Sequence, residues 1–165
     1  MKQKIIIILS IFVISCSQEE YKNVGDIPFN KELDDESFNI CNETNINQYY
    51  VRYSSDTPPS YKGEKRGLEK AIFSKYSFPQ SEKENGYVTI RFIVNCEGET
   101  GRFRIEEMDF AYKPQKLDEK ITSQLLEIVK NLNDWIPRKS NGESLDFYQY
   151  LTFKIKKGQI IKILP

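Results

Sequence analysis

The sequence predicts an α+β domain in which one face of an antiparallel sheet is buried under two helices. Three stretches carry that prediction. In GYVTIRFIVNCEGETGRFRI, from Gly86, the residues Val88, Ile90, Phe92 and Val94 alternate with Tyr87, Thr89, Arg91 and Ile93, a strand with one clearly apolar face. Ile121, Leu125, Ile128 and Leu132 recur at helical spacing, widened by Leu126 and Val129 into a buried stripe. In NGESLDFYQYLTFKI, Leu145, Phe147, Leu151, Phe153 and Ile155 line one face of a long final strand, with Gln149 the exception.

Taken in order, the chain opens with an address. Lys2 and Lys4 precede the apolar run Ile5 to Ile14, which is too short to span about 30 Å of hydrocarbon as a helix. Residues 1–15 therefore read as a signal peptide. Val13-Ile14-Ser15-Cys16 resembles the bacterial lipobox, which makes Cys16 the expected lipid attachment site and ties the mature chain to a membrane without spanning it. Residues 16–37 are polar and acidic and are expected to form a flexible lipidated tether. Residues 38–165 are expected to form the domain, with Ile46, Tyr49, Val51 and Tyr53 alternating as an accessory strand.

Pro58-Pro59 and two glycines make residues 54–67 a loop. Leu68, Ile72 and Tyr76 mark a first helix, stopped by Phe78-Pro79. Asn95-Cys96-Glu97-Gly98 supplies a hairpin turn, with Gly98 available for positive φ, and Phe103 and Ile105 carry the returning strand. Asp118 stands at the N-cap of the second helix. Trp135-Ile136-Pro137 ends that helix, with Trp135 as a core anchor, and Asn141-Gly142 turns the chain. Lys157-Gly158 is expected to turn it again, so that Gln159 to Leu164 forms one more strand.

Composition bounds the function. The chain has no histidine, which removes Ser-His and Cys-His nucleophile pairs and most zinc sites; neither catalysis, a metal nor a cofactor is expected. Lys plus Arg equal Asp plus Glu at 24 each, so no nucleic-acid partner is expected. Loss of Lys2 and Lys4 with the leader leaves a small acidic excess. The carboxylate clusters Asp34-Asp35-Glu36 and Glu106-Glu107 read as solvated faces. With Cys16 lipidated, Cys41 and Cys96 remain, and an oxidising envelope compartment suggests a disulfide between them.

Several motifs together resemble the TonB C-terminal domain family in its Bacteroidota form. Pro59-x-Tyr61-x-Gly63 is similar to the family's entry to the first helix, with Glu64 in place of a second glycine. Tyr76-x-Phe78-Pro79 resembles the helix exit, and Gly86-Tyr87-Val88 with Phe92-Ile93-Val94 and Gly98 resembles the hairpin. Leu117-Asp118, Trp135-x-Pro137 and Asn141-Gly142 follow in the family's order, so the resemblance covers about residues 59–157. It implies β-α-β-β-α-β order, with two helices on a three-stranded antiparallel sheet that the tail would extend to four. It also implies a periplasmic role in gripping the N-terminal segment of an outer-membrane transporter by strand addition.

Energy transducers of that family carry a spanning helix and a proline-rich spacer, and neither is read here, so energy transduction is not expected. The expectation is an outer-membrane lipoprotein facing the periplasm, with surface display left open. It would bind a protein or peptide at a sheet edge formed by Leu145, Phe147, Tyr148, Gln149, Tyr150, Leu151 and Phe153. The alternative is a structural or homodimerising lipoprotein, its edge capped by residues 158–165.

Overall fold

The computed structural model describes residues 26–43, 46, 60–78 and 83–164. The leader, Cys16 and all of the expected accessory strand except Ile46 lie outside the described residues. The fold is α+β, with two helices and antiparallel sheets. Strand β1 (Ser60–Tyr61) leads into helix α1 (Glu64–Phe73). The hairpin of β2 (Gly86–Val94) and β3 (Thr100–Met108) precedes helix α2 (Glu119–Lys130). Short strands β4 (Trp135–Ile136), β5 (Arg138–Ser140) and β6 (Glu143–Leu145) follow, then β7 (Phe147–Lys156) and β8 (Gln159–Leu164). The main sheet has four strands in the order β3-β2-β7-β8, and β1 pairs with β4 apart from it. No helix among the described residues is long and apolar enough to cross a membrane.

Register places the core. Val88 lies opposite Phe153, which lies opposite Ile163; Ile90 lies between Ile105 and Leu151; Val94 faces Phe147. Cross-strand partners share a face, so these side chains form one apolar surface. It packs with Ile72 of α1 and with Leu117, Ile121, Leu125, Ile128, Val129 and Leu132 in and around α2. Asp118 caps α2 by accepting a hydrogen bond from Lys120 N at 2.8 Å, and Glu119 stands in the first turn, where the helix dipole favours it. Trp135 anchors the same core, edge-on to Tyr61 at 5.2 Å and to Phe92 at 5.4 Å.

Two turns follow their residues closely. Asn141 and Gly142 take φ 52 and 83, and Lys157 and Gly158 take φ 53 and 77, the pattern of tight hairpin turns. At Gly98, φ is 89 and a Cβ would stand 2.7 Å from Trp135 O, so only glycine fits.

Four expectations need correction. Helix α2 ends at Lys130, and Trp135–Ile136 instead pairs with Ser60–Tyr61 as a strand. Helix α1 ends at Phe73; Tyr76 lies past its end, with its N–H on Ile72 O at 3.0 Å and its hydroxyl donating to Gly158 O at 2.7 Å. The strand expected from Leu145 onward is broken, with Leu145 in the β5–β6 hairpin and Asp146 turned inward to 2 % exposure. The flexible tether does not reach residue 37. Ile27 is 2 % exposed, Phe38 lies on Gly101, and Asp34 forks onto Arg104 with distances of 2.7 and 2.8 Å.

Residues 26–43 thus form a lid over the second face of the sheet, where Ile93, Gly101 and Tyr148 share a row. Gly101 makes room for it. A Cβ there would stand 2.3 Å from the Phe38 ring, so Gly101→Val is expected to expel Phe38 at a cost of about 1–3 kcal/mol, read by urea denaturation.

Candidate functional site

Cys41 and Cys96 are joined by a disulfide with their Cα atoms 6.1 Å apart, which pins the lid to the β2–β3 turn. Beneath it lies the Asp146 carboxylate. Its Oδ1 accepts from Cys41 N at 3.2 Å and Cys96 N at 3.0 Å, and its Oδ2 accepts from Asn42 N at 2.6 Å. Cys41, Cys96 and Asp146 gather closely enough to resemble a metal-ligand set. The sulfurs are bonded to each other and the carboxylate holds three N–H groups, so the cluster is a clasp. Asn95, 1 % exposed, completes it: its Oδ1 accepts from Glu97 N and Glu99 N, and its Nδ2 donates to Asn39 O.

The two acidic clusters read as solvated are only partly so. The Asp34 side chain is 1 % exposed and Glu107 is 5 % exposed. Glu107 accepts from Leu117 N and from Lys116, joining β3 to the start of α2. Hydrogen bonds from Arg104 hold Asp34 below the usual 3.8, against the opposing effect of burial. A depressed folded-state pKa stabilises above the ordinary carboxylate range, and that stability is lost as pH falls through the folded value. Acidification below about pH 4 is therefore expected to loosen the lid before the core. Hydrogen exchange of the lid amides reads this, and Arg104→Gln should remove the acid step.

The expected binding edge is redistributed. Phe153 is an interior residue, opposite Val88 on one side and Ile163 on the other. Phe147 and Leu151 are buried in the core. Tyr148 lies against Asp26 and Ile27 of the lid, where burial and the Asp26 charge raise its pKa. What closes the edge is β8, which pairs with Thr152 to Lys156 and stops with Leu164 opposite Thr152. Its turn is held by Gly158 N donating to Glu84 O at 2.9 Å and Lys157 N donating to Asn85 Oδ1 at 3.1 Å. Burial, and then the charge of Glu84, push Tyr76 up to about 12, so the hydroxyl that braces the turn stays protonated.

Where β8 ends, a groove of about 220 Å³ opens between that end and α1. Tyr61, Leu68, Trp135, Gln149, Leu151 and Leu164 line it, with Glu64, Lys65 and Glu69 among the flanking residues. Trp135 is 6 % exposed, and no acceptor among the described residues reaches its Nε1. A buried indole N–H without an acceptor is costly. The groove offers an apolar floor and the Gln149 side chain, whose Oε1 accepts from Tyr150 N at 2.9 Å.

Comparison with protein-family models, curated proteins and solved structures finds no match. Function is therefore argued from the site. The groove was not legible in the sequence, because it arises from where β8 stops along β7. Gln149, the polar break in an apolar stripe, was its one signal.

Proposed function

We propose that this chain is a non-catalytic envelope lipoprotein, anchored through Cys16, that binds an extended segment of a partner protein. The segment adds to the outer rim of β8 and seats a side chain in the groove lined by Tyr61, Trp135 and Gln149. The observation that carries this reading is an apolar groove, lined by Tyr61, Leu68, Trp135 and Leu151 with Gln149 among them, at the end of an edge strand. An edge strand presents main-chain donors and acceptors, and an adjacent pocket supplies specificity. The resemblance to TonB C-terminal domains makes the N-terminal segment of an outer-membrane transporter the leading candidate partner.

A second copy of the chain is the alternative occupant. Ile161 is 50 % exposed on β8, an apolar residue suited to pairing between copies. Pull-down from solubilised envelopes separates the two. The wild type should recover an outer-membrane protein, and Gln149→Arg should lose it while the fold is kept. Recovery of the chain alone would favour the dimer, and recovery of neither would overturn both. Cys16→Ala should release the protein from membranes, and continued tight association would defeat the anchor.

A further inference from the structure

The second face of the sheet has an uncovered end. The lid occupies the rows around Ile93, Gly101 and Tyr148. At the opposite end, Tyr87, Met108, Lys154 and Lys162 share one row across all four strands. The loop after β3 folds two aromatic residues onto that row. Tyr112 stacks on Tyr87 at 5.6 Å with planes 4° apart, and Phe110 meets Tyr87 edge-on at 5.3 Å. Both are outward-facing, with Phe110 41 % and Tyr112 73 % exposed. Tyr112 takes φ 62, a conformation that a bulky residue rarely adopts. Asp109 holds it there by accepting from Ala111 N at 2.8 Å and Lys113 N at 2.9 Å.

Lysine side chains flank this cluster. The Lys154 ammonium lies 5.8 Å from the Tyr87 ring centre and 5.2 Å from that of Phe110. Lys162 stands directly across from Lys154, and Lys156 shares the face by strand alternation. Like charges directly opposite one another destabilise a sheet. Of the acidic groups on this part of the sheet, Asp109 accepts hydrogen bonds within its own loop and Glu106 pairs with Arg91 at 3.0 Å. The surface is thus aromatic, cationic and self-repelling until an anion covers it.

We propose that this end of the sheet docks on an anionic lipid surface, with Tyr112 and Phe110 entering the headgroup layer and Lys154 and Lys162 meeting lipid phosphates. The inference rests on the lipoprotein reading for its geometry. The chain joins the lid at Asp26, beside Tyr148 on this same face. Residues 17–25 reach at most about 30 Å when extended, so a lipid on Cys16 keeps this face near the bilayer. Tyrosine and lysine side chains suit that boundary because each has an apolar body and a polar tip.

The test uses the mature chain from residue 16 carrying Cys16→Ala, sedimented with phosphatidylcholine vesicles with and without phosphatidylglycerol. Binding is expected only with phosphatidylglycerol. Lys154→Gln with Lys162→Gln should weaken it about 30-fold, near fivefold per lysine. Tyr112→Ser, at an exposed position, should also weaken it with the fold intact by circular dichroism. No binding to anionic vesicles, binding untouched by these substitutions, or preferential binding to peptidoglycan would overturn the proposal. Such a failure, with the wild type still membrane-bound through Cys16 in cells, leaves the lipoprotein reading standing.

Discussion

Removing the Cys41–Cys96 bond, by reduction or by Cys41→Ser with Cys96→Ser, is expected to cost about 4 kcal/mol of unfolding free energy. The bond closes a loop with a sequence separation of 55, and the chain entropy such a loop withholds from the unfolded state amounts to about that value. The effect falls first on the lid. Residues 26–43 hold to the sheet through Ile27, Phe38, the Asp34–Arg104 and Glu43–Arg102 pairs and the clasp at Asp146. Without the disulfide those contacts close a long loop unaided. Urea denaturation of oxidised and reduced protein reads the loss. Equal midpoints would show that the bond adds nothing to stability.

Asp146→Ala should cost about 3–5 kcal/mol. Three backbone N–H groups, on Cys41, Asn42 and Cys96, lose a charged acceptor at a residue only 2 % exposed. Asp146→Asn should cost less, since one oxygen remains to accept. Because all three donors belong to the two segments the disulfide joins, the substitutions should couple. In the background lacking both cysteines, Asp146→Ala should cost at least about 1 kcal/mol less than in the wild type. Full additivity would mean that the carboxylate and the disulfide act independently.

Local signals in the sequence carried the elements whose structure is local. The β2–β3 hairpin, the Asp118 cap of α2 and the Lys157-Gly158 turn follow from alternation, a capping side chain and turn chemistry. Where tertiary contacts decide, the pattern misled. Tyr76 continues the helical stripe but lies past the end of α1, with its hydroxyl on Gly158 O. Asp146 sits between apolar residues as if on a strand, yet turns inward to bind N–H groups contributed from far along the chain. The lid was hidden because Ile27 and Phe38 are isolated apolar residues in a polar stretch without periodicity. A small face can be covered without an amphipathic repeat, by one buried side chain, one aromatic ring on a glycine and paired charges.

The expected edge at Leu145–Phe153 shifted for a related reason. The tail strand covers Thr152 to Lys156, moving the open rim outward to β8 and leaving a groove at its end. The carboxylates that seemed solvated, Asp34 and Glu107, are the ones that tie loops to the sheet.

Site-specific photo-crosslinking from Ile161 in intact cells tests the central claim most directly. That side chain is 50 % exposed on β8, so a crosslinking residue there should leave the core undisturbed. The account predicts adducts to a terminal segment of another envelope protein, lost when Gln149→Arg blocks the groove. Absence of any adduct in correctly folded protein, or adducts that persist with the groove blocked, would contradict it.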